Sequence, residues 1–165
     1  GNGNVPEIIY GFNGLVRWKN FDFSFLFQGA GRVQVYLQGG VIQPYFNQGG
    51  LPQMWVTDSW TPENTNASLP RLNNSVHNNP TTDISCVDTY LYDASYLRLK
   101  NIEIGYSLPA RVLNRIGIKQ LRIYASAQNL FTVSGVPQID PENTQQQGWT
   151  YPQMKAYNIG LTLQF

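Results

Sequence analysis

Side chains able to do acid–base or metal chemistry are few in this chain, and their spacing does not assemble them. There is one histidine, His77, in an asparagine-rich stretch, and one cysteine, Cys86. A transition-metal site needs several nitrogen or sulfur ligands at set spacings. His77 has no such companion and reads as a loop residue. A lone cysteine makes neither a disulfide framework within the chain nor a thiolate metal site. Asp140 and Glu142 flank Pro141, which makes that tripeptide a loop-ordering turn rather than an acid–base pair. Asp83 and Asp88 could share a cation in a loop, though a solvated loop is the plainer reading. The glycines at 29, 31, 39–40 and 49–50 lack the following Gly-Lys-Ser/Thr of a phosphate loop. The expectation is no catalytic residue, no metal and no cofactor.

What remains is aromatic and basic. Trp55, Trp60, Trp149, Tyr45 and Tyr151 fall between the regular segments. Flat rings there can stack on sugars or pack against a protein lid; packing within their own loops is the competing expectation. Arg98, Lys100 and Arg122 fall on the polar side of alternating segments, where they would line a lumen. An ion pair with Glu103 or a neighbouring strand is expected there before ligand contact.

The elements that must position these residues alternate with the strand period of two. In the first, about 6–18, Tyr10, Phe12, Val16 and Trp18 oppose Gly11, Asn13 and Arg17. In the second, about 21–33, Phe21, Phe23, Phe25 and Phe27 oppose Asp22, Ser24 and Gln28, with Leu26 the exception. The third, about 95–108, changes phase: Ile102, Ile104, Tyr106 and Leu108 are apolar below, Leu97 and Leu99 above. A β-bulge near Asn101, or exit from a membrane band, accounts for the switch. The fourth, about 120–132, sets Leu121, Ile123, Ala125 and Ala127 against Arg122, Tyr124, Ser126 and Gln128. The fifth, about 155–165, sets Tyr157, Ile159, Leu161, Leu163 and Phe165 against Asn158, Gly160, Thr162 and Gln164.

These segments are near the length of the roughly 9–11 residues a tilted strand needs to cross a bilayer, and no apolar run approaches a membrane helix. Composition agrees. Only 13% of residues are charged, another 13% are aromatic, and mean hydropathy is −0.30. Such a chain suits strands with one apolar face and one polar, uncharged face. Net charge is +1 without a basic patch, so no nucleic-acid partner is expected. Connections alternate in length. Lys19-Asn20 is a tight turn, and 109–119 is short, with helical turns at 110–115 capped by Gly117. By contrast, 34–93 is a long loop and 133–155 an intermediate one. A short helix is expected near Tyr45 and Phe46. Short turns on one side and long loops on the other are the asymmetry of outer-membrane barrels. A soluble β-sandwich carbohydrate-binding module is the alternative, and a hydrolase fragment a weaker one.

Several ordered stretches resemble the SusC-like (starch-utilisation-type, RagA-like) TonB-dependent outer-membrane transporters of Bacteroidetes. They are WTPENTNASLPR at 60–71, YDASYLRLKNIEIGYSLP at 92–109, QNLFT at 128–132, DPE at 140–142 and GLTLQF at 160–165. The resemblance implies an all-β fold: the last five antiparallel strands of a barrel of about 22 strands with a plugged lumen. Gly1 would then not be the native start, and the plug and energy-coupling segment would lie in a longer polypeptide. The resemblance further implies import of glycan or peptide nutrients at the cell outer membrane. Expected partners are a SusD-like surface lipoprotein, the TonB complex through the missing N-terminal part, outer-membrane lipid, and an oligosaccharide or peptide ligand. Tyr157, Ile159, Leu161, Leu163 and Phe165 would form the signal read by the barrel-assembly machinery.

Overall fold

Phenylalanine at every second position from Phe21 to Phe27 puts four rings on one side of a strand, and that strand organises its neighbours. The computed structural model describes residues 3–46, 49–72, 88–113, 117–137, 139–143 and 150–165. Its regular elements are β1 (Ile8–Trp18), β2 (Phe21–Gly31), β3 (Gln34–Tyr36), α1 (Gln53–Asp58), β4 (Leu91–Asp93), β5 (Tyr96–Ser107), α2 (Ala110–Leu113), β6 (Gln120–Gln128), β7 (Thr132–Ser134) and β8 (Ala156–Gln164). They fall into two compact units.

One unit comprises Ile8–Gly31, Tyr96–Ser134 and Gln153–Phe165. It is a single antiparallel sheet in the order β1-β2-β5-β6-β8, with β7 also paired to β5. Lys19, at φ 54, and Asn20 form the two-residue turn between β1 and β2. The Asn20 side chain donates to the Ser107 carbonyl at 2.7 Å, and the Ser107 N–H donates to the Asn20 carbonyl at 2.8 Å. These two bonds tie the turn to the end of β5.

Register aligns like with like. Val16, Phe23, Ile104, Ala125 and Ile159 form one row across the sheet, and Trp18, Phe21, Tyr106, Ile123 and Leu161 form the next. Neighbouring rings pack in tilted or edge arrangements, such as Phe12 with Phe25 at 5.6 Å and Phe21 with Tyr106 at 4.6 Å. The opposite face carries Arg17, Asp22, Ser24, Glu103, Arg122, Ser126 and Asn158. Among the described residues of this unit no second sheet covers the apolar face: Ile159 is 86% exposed and Phe12 65%. A sandwich domain buries that face between two sheets, so the soluble-module alternative does not match this arrangement.

The phase switch in β5 is a bulge. Leu26 pairs with Asn101 but Phe27 pairs with Leu99, leaving Lys100 as the extra residue. Leu99 thereby rejoins Phe27 on the apolar side, and Arg98 joins Gln28 on the polar side. The same irregularity shortens β6, expected to reach residue 132. It stops at Gln128, Asn129 takes φ 51, and pairing resumes as β7. There the Asn129 N–H donates to the Lys100 carbonyl at 3.1 Å, and the Leu99 N–H donates to the Phe131 carbonyl at 3.1 Å. The helical turn after β5 is described as far as Leu113, and Gly117 has the left-handed φ of 72 that suits a helix cap.

The other unit comprises Gly1–Glu7, Arg32–Ser95 and Gly135–Pro152. The stretch 34–93, expected as one long loop, is closed at its base by a two-stranded ladder that pairs Gln34 with Asp93, Val35 with Tyr92 and Tyr36 with Leu91. Val33, Val35, Leu37, Ile42, Trp55, Leu69, Tyr90 and Ala94 are buried. Near Tyr45 and Phe46, where a short helix is expected, Tyr45 is a turn residue at φ 56 and Phe46 is in 3-10 conformation; further short helical segments stand at Gly39–Val41 and Gln53–Asp58. Pro44 disfavours a helical Gln43, and a left-handed Tyr45 cannot continue a helix. Within the stretch expected as loop, residues 59–69 are tied by a Ser59–Leu69 bridge and a turn between Thr61 and Asn64.

Candidate functional site

The groups brought together most tightly lie on the polar face of the five-stranded sheet, near its turn end. Arg122 reaches from β6 across β5. Its Nε donates to Asp22 Oδ1 on β2 at 3.0 Å, and its Nη2 donates to Asp22 Oδ2. Nη2 also donates to Glu103 Oε1 on β5 at 2.6 Å. Arginine suits this task because its planar fork can satisfy a carboxylate with two parallel bonds. The reach requires a missing side chain underneath. A Cβ built on Gly105 would lie 2.7 Å from Arg122 Cζ and Nε. The guanidinium also lies over the Tyr124 ring, 5.1 Å from its centroid.

A groove of about 610 Å³ opens beside this network, bordered by Arg17, Lys19, Ser24 and Gln120 among others. The three charged side chains of the network are 21–28% exposed, so the groove is wet but crowded. Its chemistry is polar and multiply charged. It has no nucleophile paired with a base, and no group of three His, Cys, Asp or Glu residues positioned for a metal occurs among the described residues. No described helix is long and apolar enough to cross a membrane, a statement that leaves strands aside.

No family model matches the chain. Similarity to individual proteins is extensive. TonB-dependent receptor P3 of Formosa agariphila is 33% identical over 98% of this chain, and receptor P26 of the same organism 32% identical over 98%. TonB-dependent receptor SusC of Bacteroides thetaiotaomicron is 27% identical over 96% of the chain. A solved structure of the RagAB peptide transporter superposes on 99% of the chain, with a TM-score of 0.74 at 27% identity. This chain belongs to the SusC- and RagA-like TonB-dependent receptors. It spans about a sixth of the length of those curated relatives and 18% of the solved chain. The fold of the five-stranded unit is accordingly a piece of the receptor barrel wall, as its sequence pattern implied.

Within this receptor segment the loop aromatics part company. Trp55 is 1% exposed, and its indole N–H donates to the Ile42 carbonyl at 2.6 Å. It is a core residue of its own unit and is withdrawn as a ligand or lid contact: burial with a satisfied indole leaves no face to offer. Tyr45, Trp60 and Tyr151 are exposed, Tyr151 at 80%. Trp149 lies outside the described residues, as do His77, Asp83 and Cys86. Asp88 is exposed and opens a helical turn at Asp88–Tyr90.

The basic residues also separate. Arg122 makes the expected ion pair with Glu103 and adds Asp22, whose place opposite Gly105 is read only from register. Arg98 stands on the polar side yet is 3% exposed, its Nε donating to the Thr132 hydroxyl at 2.7 Å; it is not an open lumen-lining cation. Lys100 is the bulge residue. Asp140 accepts the Glu142 N–H at 3.0 Å on its carboxylate and the Asn143 N–H at 2.9 Å on its carbonyl, making the loop-ordering turn.

In the loop unit, the Ser95 hydroxyl and then its backbone N–H, at 2.9 Å, hold the Asp93 carboxyl below the usual carboxylate range. Burial pushes the Tyr90 phenol well above its ordinary range, with Tyr36 and Tyr92 adding to the effect. Burial raises Tyr92 as well.

Proposed function

We propose that this segment forms the last strands of an outer-membrane importer for oligosaccharide or peptide nutrients, driven through TonB and working with a SusD-like surface lipoprotein. The observation that carries the reading is the two-faced single sheet. One side is an open apolar band and the other a polar network, over a span that superposes on an importer barrel. A bilayer covers the first side, and a water-filled lumen suits the second. On this reading Arg122, Asp22 and Glu103 line the lumen, while Tyr45, Trp60 and Tyr151 stand on the outer side as substrate or lid contacts. The alternating ending at Tyr157, Ile159, Leu161, Leu163 and Phe165 serves as the barrel-assembly signal.

Uptake of labelled malto-oligosaccharides and labelled casein peptides by cells carrying the complete receptor tests this. One of the two should enter, and entry should stop in cells lacking TonB. Recovery of the complete receptor in the soluble fraction would overturn the proposal.

A further inference from the structure

Two side chains of β6 lie flat across the neighbouring strands, and each lies over a glycine. On one side Arg122 crosses β5 above Gly105. On the other, Tyr124 covers β8: a Cβ on Gly160, its direct partner in the ladder, would fall 2.5 Å from the ring Cζ and Oη. The two side chains also stack on each other, with the guanidinium carbon 5.1 Å from the ring centroid. Arg122 then grips Asp22 on β2 and Glu103 on β5. One continuous stack therefore runs from β2 through β5 and β6 to β8.

We propose that this stack is a register lock that selects how β6 pairs with β5 and β8. Slipping a strand by one residue is already penalised, because it turns the apolar set to the polar face. Slipping by two residues preserves the faces, so the hydrophobic pattern alone does not oppose it. The stack does. A two-residue slip of β8 puts Asn158 or Thr162 opposite Tyr124, and either supplies a Cβ where the ring must lie. A two-residue slip of β5 likewise takes Gly105 from beneath Arg122 and displaces Glu103. The glycines are thus the only positions on those faces that admit both side chains. The inference rests on strand pairing and goes beyond transport, which it does not require.

The test is disulfide trapping in the complete receptor, in a Cys86→Ser background. Ser126→Cys with Asn158→Cys reports the native register, in which those residues are partners. Ser126→Cys with Ala156→Cys reports a two-residue slip. Introducing Gly160→Ala should shift the slipped-to-native ratio by about tenfold or more, as overpacking of the usual size would do. Tyr124→Ala, which only removes atoms, should raise slipped trapping while the receptor still assembles. It decides the matter where Gly160→Ala blocks assembly. Native trapping unchanged in Tyr124→Ala would overturn the lock. Absence of uptake by the parent receptor counts against the transport reading alone, because the lock is read from trapping.

Discussion

Arg122 carries one positive charge and faces two carboxylates, so its removal does more than delete a bond. Arg122→Ala leaves Asp22 and Glu103 side by side on a crowded face, with only the weaker help of Arg17 across from Asp22. Breaking a paired ion this way typically costs more than the pair contributes. Because the groups keep about a quarter of their surface in water, a loss of about 1–3 kcal/mol is expected. The triple replacement Asp22→Asn, Glu103→Gln, Arg122→Met should be milder than Arg122→Ala alone, since no charge is stranded. The unfolding midpoint of the receptor in detergent, followed by electrophoretic mobility on heating, gives the order directly. Trp55 gives a second residue-scale prediction. Trp55→Ala should destabilise the loop unit by about 3–5 kcal/mol, read as faster protease cleavage within 59–69. Trp60→Ala, at an exposed ring, should leave that cleavage unchanged and weaken uptake of the labelled probe.

Strand faces show how much a sequence can display. The period-two pattern located the five long strands because each side chain's face follows from parity alone, and it displayed the phase break in β5. It did not say which residue is extra: Lys100, rather than Asn101, is skipped in the ladder, and the matching break at Asn129 is a consequence of pairing. Deleting Lys100 should therefore regularise the ladder with Leu97 and Leu99 still apolar and Arg98 still polar, and permit assembly, whereas inserting one residue after Lys100 should turn Arg98 to the apolar side and Leu97 and Leu99 to the polar side, and block it. Lys100→Ala keeps the residue count and should assemble, as judged by recovery of heat-modifiable receptor. The ladder of β3 with β4 was less legible, because three-residue strands about 55 residues apart carry too little periodicity to register. Trp55 and Trp60 were indistinguishable by type; only the folded chain separates a buried indole from an exposed one. That ladder adjoins Tyr90, which is buried and carries a raised phenol. A group whose folded pKa lies above its unfolded value stabilises fully below the unfolded value and loses that contribution as pH rises past it. The loop unit should hold below about pH 10 and loosen above it. Protease cleavage within 59–69 should then rise with alkalinity in the parent and much less so in Tyr90→Phe.

At the scale of the whole chain, the five-stranded sheet has features that water alone does not satisfy. Among the described residues β1 pairs only with β2 and β8 only with β6, so both outer strands present unpaired backbone groups. The face they share exposes Phe12, Val16, Trp18, Tyr157, Ile159 and Leu161. Open edges beside a flat apolar surface are the template for strand addition between copies, and exposed apolar patches of this kind associate in water. A sandwich domain of the same length would have covered the apolar face by folding one sheet on another, while closure into a barrel removes the open edges as well. The isolated 165-residue chain should therefore aggregate in aqueous buffer and disperse only in detergent or lipid. Size-exclusion chromatography with light scattering, run in parallel with and without detergent, measures this. A monodisperse, cooperatively unfolding monomer in plain buffer would mean that the apolar face is covered in solution, and the assignment of that face to lipid would fail with it.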